Sequence, residues 1–111
     1  MEKQRNWKNS KGYRQLRRDL MDDLSARGLV ASVYTDSVER YMQLWVMFQQ
    51  AQEDIRERGI IVPDGRGAKV ENRMISLALQ TSKEMRAIYA DLGLKDAALK
   101  NAGAGAGDDE L

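Results

Sequence analysis

The chain contains no cysteine and no histidine. The first absence excludes disulfides, thiolate metal sites and cysteine nucleophiles. The second removes the commonest general base and the usual ligand of catalytic zinc. An enzyme built from this sequence would have to work with Asp, Glu, Lys, Tyr or Ser alone, and no nucleophile–base constellation stands out among them. The carboxylate pairs Asp22/Asp23 and Glu53/Asp54 are adjacent in helical segments. Members of each pair therefore diverge by about 100° and form no metal site by themselves. The sequence predicts no catalytic residue, no metal and no cofactor.

Long apolar runs are missing too. The longest, "YMQLWVMF", is interrupted by Gln43, whereas a bilayer span takes about 20 residues. The first ten residues, "MEKQRNWKNS", are polar and lack the apolar core of a signal peptide. The expectation is a protein without a membrane partner that stays in the cytoplasm. Proline is scarcer still. Pro63 is the only one, and it falls in the Gly-bearing stretch "RERGIIVPDGRGAKVENRM". On either side lie long segments with helical periodicity and no internal Gly or Pro.

What is present is charge, unevenly placed. The formal net charge is +1. Residues 1–18 carry seven cations, Lys3, Arg5, Lys8, Lys11, Arg14, Arg17 and Arg18, against Glu2 alone, a balance of +6. The remaining residues hold 11 basic and 16 acidic side chains, a balance of −5 that ends in "GDDEL". A basic head and an acidic tail result. Seven cations with Trp7 and Tyr13 interleaved suit either a DNA-binding arm or a solvated, solubilising tail. Arg58, Arg66, Lys69 and Arg73 form a second basic group about the proline loop, open to the same two readings.

Apolar periodicity predicts an all-α fold of three main helices. Residues 1–11 have no periodicity and read as a basic flexible arm. Tyr13, Leu16, Leu20 and Leu24 step by three and four, a first helix ending near Arg27 with Gly28 as its left-handed cap. "LVASVY" reads as a packed connector. Thr35 or Asp36 then caps a second helix to about Arg58, and Asp36 with Glu39 has capping-box spacing. Residues 60–69 suit a short irregular loop or β-hairpin, since "PDG" is a turn in which Gly65 accepts φ > 0. A third helix from about Val70 to Leu92 carries a near-heptad seam of Met74, Leu77, Ala78, Thr81, Met85, Ile88 and Leu92. Gly93 and Leu94 then suit a Schellman ending. The loop is long enough to fold the second and third helices into an antiparallel hairpin. Residues 12–95 form the helical domain, and 96–111, with "AGAGAG", read as a flexible acidic tail.

The second helix is apolar on more than one face: Met42, Val46 and Met47 lie outside its main stripe of Val38, Tyr41, Leu44, Trp45, Phe48, Gln52 and Ile55. A helix apolar nearly all round is buried nearly all round. Three short helices are not expected to cover it alone, so the sequence predicts a homo-oligomer. Its expected interface is Tyr41, Met42, Trp45, Val46, Met47, Phe48, Met74, Leu77 and Met85. At this spacing Tyr41, Trp45 and Phe48 read as packing residues rather than a stacking platform.

The segments "YRQLRRDLMDDLSARG", "YTDSVERYMQLW", "IRERGIIV" and "MRAIYADLGL", in this order and at these spacings, resemble small terminase subunits of tailed double-stranded-DNA bacteriophages over roughly residues 12–95. Many members start the third helix with Asn-Pro, where this chain has Asn72-Arg73, and follow Leu-Gly-Leu with Thr-Pro, where it has Lys95-Asp96. No separate N-terminal helix-turn-helix domain is visible. The resemblance implies a non-enzymatic genome-packaging protein of the host bacterial cytoplasm that forms rings through long helices. It implies binding to viral double-stranded DNA and regulation of the large terminase subunit, which supplies the ATPase and nuclease. On that footing the expected DNA-binding residues are Lys3, Arg5, Lys8, Lys11, Arg14, Arg17 and Arg18 of the head and Arg66, Lys69 and Arg73 of the loop. Two rival readings are a helix-turn-helix-like transcriptional regulator and a structural helical adaptor without nucleic-acid function.

Overall fold

The computed structural model describes residues 6–94. The expected acidic tail, 96–111, and the cations Lys3 and Arg5 lie outside that range. A single 3₁₀ turn, Trp7–Asn9, precedes α1 (Lys11–Ala26) and α2 (Ser32–Arg58); the hairpin strands β1 (Ile61–Pro63) and β2 (Lys69–Glu71) follow, then α3 (Met74–Asp91). The fold is mostly helical with one small two-stranded sheet.

Helix α1 starts two residues earlier than its apolar stripe. Ser10 is its N-cap, its Oγ accepting from the Tyr13 N–H at 3.1 Å. The helix closes in a Schellman motif: the Leu29 N–H donates to the Leu24 carbonyl (2.9 Å) and the Gly28 N–H to that of Ser25 (3.0 Å). Gly28 takes φ +77° there, as its position after the last turn predicts.

Helix α2 begins at Ser32 and is 27 residues long, about 40 Å. The expected cap at Thr35 or Asp36 is not formed. The Ala31 carbonyl already accepts from the N–H groups of Tyr34 (3.0 Å) and Thr35 (3.4 Å), which draws "SVY" into the first turn. Thr35 instead donates its hydroxyl to the Ser32 carbonyl. Asp36 pairs with Arg40 one turn on (3.2 Å), and Glu39 pairs with Arg17 of α1. Capping-box spacing fails here because the helix starts four residues earlier, which puts Asp36 and Glu39 inside it rather than at its end. The C-terminus stops at Gly59, φ +88°, as predicted.

The proline loop is a β-hairpin, with Ile61 opposite Glu71, Val62 opposite Val70 and Pro63 opposite Lys69. Asp64 organises its tip. The Asp64 Oδ1 accepts from the Arg66 N–H (2.7 Å) and the Ala68 N–H (3.2 Å), and Gly65 and Gly67 take φ of +87° and +96°. Because β2 uses residues 69–71, α3 starts at Met74 rather than near Val70.

The α2–α3 antiparallel pair is the backbone of an elongated molecule of 56 × 31 × 23 Å. Ala51, Ala78 and Thr81 are buried in that pair, and the Thr81 hydroxyl is satisfied by the Leu77 and Ala78 carbonyls. The main core lies at the other end, where Leu20 and Leu24 of α1, Val38 and Met42 of α2, and Leu92 and Leu94 after α3 pack together. Leu94 is buried, in keeping with its expected role beyond Gly93 (φ +72°).

The coverage of α2 corrects the sequence argument for neighbouring subunits. Met42 is 0% exposed and Val46 only 9% within the single chain. Trp45 is half-buried under Trp7 and Tyr13, with ring centroids 5.8 and 5.9 Å away. Periodicity reveals three helices; the 3₁₀ turn supplies a further cover. Met42 and Val46 are thus core residues, and the surplus apolar surface is smaller than the pattern implies.

Candidate nucleic-acid interface

The amino-terminal basic group is held against the half of α2 that leads to the hairpin. Helix α1 runs antiparallel to α2: Arg17 contacts Glu39, Tyr13 contacts Trp45, and Trp7 reaches beyond to Glu53. The Trp7 Nε1–H donates to Glu53 Oε1 at 3.2 Å, and its ring stands edge-on to Trp45, the two planes at 84°. Glu53 lies five residues before the end of α2, about 7.5 Å along the axis. Trp7 therefore pins the start of the described chain, with Lys8 and Lys11 beside it, towards the hairpin that carries Arg66 and Lys69. Sequence periodicity predicts an unstructured arm over residues 1–11; within it, residues 7–9 form the 3₁₀ turn and Lys11 opens α1. The signal for this order is Trp7, an aromatic that packs edge-on to Trp45 of α2 and hydrogen-bonds Glu53.

The cations differ in what they are free to do. Lys8, Lys11, Arg14 and Arg18 are exposed, as are Arg66, Lys69 and Arg73. Arg14 is steadied by donating Nη1–H to the Asn9 carbonyl at 2.6 Å. Arg17 is half-buried, and its Nε–H donates to Glu39 Oε2 at 3.0 Å. That hydrogen bond raises the guanidinium's pKa above its ordinary value. Arg17 is therefore a structural clamp between α1 and α2, poorly placed to meet a phosphate. Arg58 is likewise engaged, by Asp54 at 3.0 Å.

The hairpin is rooted by a buried polar hub that sequence reasoning did not find. Asn72 is 1% exposed. Its Nδ2 donates to Asp54 Oδ1 and to the Gly59 carbonyl, both at 3.0 Å, while its Oδ1 accepts from the Met74 N–H at 2.9 Å. One side chain thus joins the end of α2, the hairpin and the start of α3. Without the usual following proline, Asn72 still satisfies the first N–H of α3, that of Met74. The same contact pulls the Asp54 pKa down: the Asn72 hydrogen bond is the largest cause, with Arg58 adding to it against a desolvation penalty.

The expected interface residues divide into five sets. Met42 and Val46 belong to the interior. Trp45 holds the 3₁₀ turn. Tyr41, Phe48 and Met85 line a groove beside α1, Met47 stands on the opposite flank at 39% exposure, and Met74 and Leu77 are partly covered near the hairpin.

Among the described residues no group of three or more acidic side chains is arranged to hold a metal ion, and no helix is long and apolar enough to cross a membrane. Comparison with curated proteins and with solved structures gives no match. A family model for the small subunit of phage terminase matches residues 14–109, nearly the whole chain. The chain therefore belongs to the small-subunit family of phage terminases, which gives it a non-catalytic role in packaging viral DNA.

Proposed function

We propose that this chain assembles into a homo-oligomeric ring in the host cytoplasm, binds viral double-stranded DNA at its hairpin end, and presents that DNA to the large terminase subunit. What supports the reading is the set of exposed cations, Arg66 and Lys69 on the hairpin and Lys8 and Lys11 of the head, the latter held to the hairpin-side half of α2 by the Trp7–Glu53 contact. Cations gathered on one surface raise the local phosphate concentration and release counterions when DNA arrives. Such contacts hold the backbone without reading sequence, so choice of a packaging site needs base contacts in addition. Arg73 is exposed at the root of α3, and Arg14 and Arg18 are exposed along α1.

The test is an electrophoretic shift titration across salt concentrations. Replacing Lys3, Arg5, Lys8 and Lys11 with Ala should weaken binding and flatten the salt dependence, by roughly 0.9 in log–log slope for each phosphate left without its cation. Replacing Arg66, Lys69 and Arg73 should act in the same direction. Unchanged affinity at low salt in both variants would rule out this end as the DNA surface. A two-fold dimer protecting a palindrome would instead favour the transcriptional-regulator reading.

A further inference from the structure

Three cations of α1 share one face and meet no carboxylate there. Lys11, Arg14 and Arg18 are spaced three and four apart, on the side of the helix turned away from the buried Leu20 and Leu24. All three are exposed. Among the described residues none of them is in an ion pair, whereas Arg17 is held by Glu39 and Arg27 by Asp23. Arg14 donates only to a carbonyl, that of Asn9. The first turn of the helix has no acidic residue, so the positive end of its dipole adds to the same potential. Asp19 accepts from Gln15 at 2.9 Å, and Asp22 follows Arg18 by one turn on the same face. The positive stretch is thus confined to residues 11–18.

The chain carries an anion of matching size. Asp108, Asp109 and Glu110 stand together in the sequence, outside the described residues. Leu94 is buried with Leu20 and Leu24, so the chain leaves the fold beside the middle of α1. Thirteen residues separate Leu94 from Asp108, a length that can extend to about 45 Å. Arg14 lies six residues before Leu20, about 9 Å along the axis, and passing round the helix adds about its diameter of 10–12 Å. The stripe is well within reach. The hairpin fits this anion less well. Arg66 and Lys69 stand there with Asp64 and Glu71, and the length of α3, about 27 Å, separates them from Leu94.

We propose that Asp108, Asp109 and Glu110 dock on Lys11, Arg14 and Arg18 of their own chain, their carboxylates taking the places of DNA phosphates. The docking stands on charge and reach. Its consequence, an intramolecular brake on DNA binding, rests on the DNA reading of the basic head given above. A tethered anion faces the stripe at high effective concentration, so three charges are enough to compete. DNA brings many phosphates and releases counterions, so it displaces the segment once enough contacts form.

Carbodiimide coupling tests the docking without DNA. At low salt it should join the Lys11 amine to a carboxyl of residues 108–110, read as a linked peptide by mass spectrometry, and the yield should fall as salt screens the contact. When isotope-labelled and unlabelled chains are refolded together, each linked peptide should be wholly heavy or wholly light. No link at low salt, or links joining heavy to light chains, would overturn the docking. The brake is read in a variant carrying Asp108→Asn, Asp109→Asn and Glu110→Gln. It should bind DNA about threefold or more tighter at low salt, and the gain should disappear in a Lys11→Ala, Arg14→Ala and Arg18→Ala background. Unchanged affinity in the neutralised variant would overturn the brake. If neither protein binds DNA while the link forms, the DNA reading fails and the docking stands.

Discussion

The two ends of this molecule are held together by different physics. At the end where α1 closes on α2 and α3, six apolar side chains bury one another, and Val38 and Met42 reach 0% exposure. At the hairpin end Ile60, Ile61 and Val70 are left exposed, and order rests on Asn72 and the groups it joins. Burial of apolar area is non-directional and insensitive to pH. A hub of hydrogen bonds is directional and depends on a carboxylate being ionised. One end is therefore built to persist, and the other, which carries Arg66, Lys69 and Arg73, can loosen by itself.

The largest effect should come from the apolar end. Met42→Ala removes a fully buried side chain, for which the loss is about 2–5 kcal/mol. In a molecule this small that is much of the total stability, so thermal unfolding should move down as one cooperative transition. Asn72→Ala should cost less, about 1–3 kcal/mol, because it strands the Gly59 carbonyl and the Met74 N–H without opening a large cavity. Amide exchange should separate the two. Met42→Ala should speed exchange throughout, whereas Asn72→Ala should speed it in β1, β2 and the first turn of α3 while protection of α1 holds. Equal acceleration at both ends in the Asn72 variant would show that the ends are not independent.

Acid should reproduce part of the Asn72 effect. The Asp54 carboxyl has its pKa lowered in the folded chain, first by the Asn72 hydrogen bond. A depressed folded pKa adds stability above the unfolded value, near 4, and that stability fades as pH falls through the folded value. Lowering the pH from 7 to 3 should therefore loosen the hairpin root before the apolar core gives way. Asp54 is partly exposed, which keeps the effect below that of Asn72→Ala. An Asp54→Asn variant should show a weaker acid response at the hairpin amides.

The same division explains what could be read from the sequence. Period-three-and-four patterns locate all three helices, and Gly28, Gly59 and Gly93 mark their ends, because apolar spacing and left-handed φ are local properties. The hairpin is one of two options until Ile61 and Glu71 are seen to pair. Coverage of α2 escapes the pattern because Trp7 lies 38 positions before Trp45, and no periodicity connects them. The start of α3 is misplaced at Val70 by periodicity alone, and the bonds of Asn72 to Asp54 and Gly59 depend on how the hairpin folds back. Among the basic residues, local charge counting cannot distinguish Arg17, clamped by Glu39, from its exposed neighbours Arg14 and Arg18.

The smallest effects sharpen the comparison from inside the apolar end, where two helices finish on a glycine with positive φ. Gly28 and Gly93 take φ of +77° and +72°, so an alanine at either should cost about 1–2 kcal/mol for the left-handed backbone. Their surroundings differ. A Cβ at Gly28 meets nothing within 4 Å, while one at Gly93 comes to 2.9 Å from Arg27 Nη1. Arg27 is the side chain that ties the end of α1 to α3, donating Nη2–H to the Leu92 carbonyl at 2.7 Å while paired with Asp23. Gly93→Ala must displace it, and Gly28→Ala need not. The difference in melting temperature between the variants therefore measures the Arg27 tie. That difference should vanish in an Arg27→Ala background, where both alanines carry only the backbone strain.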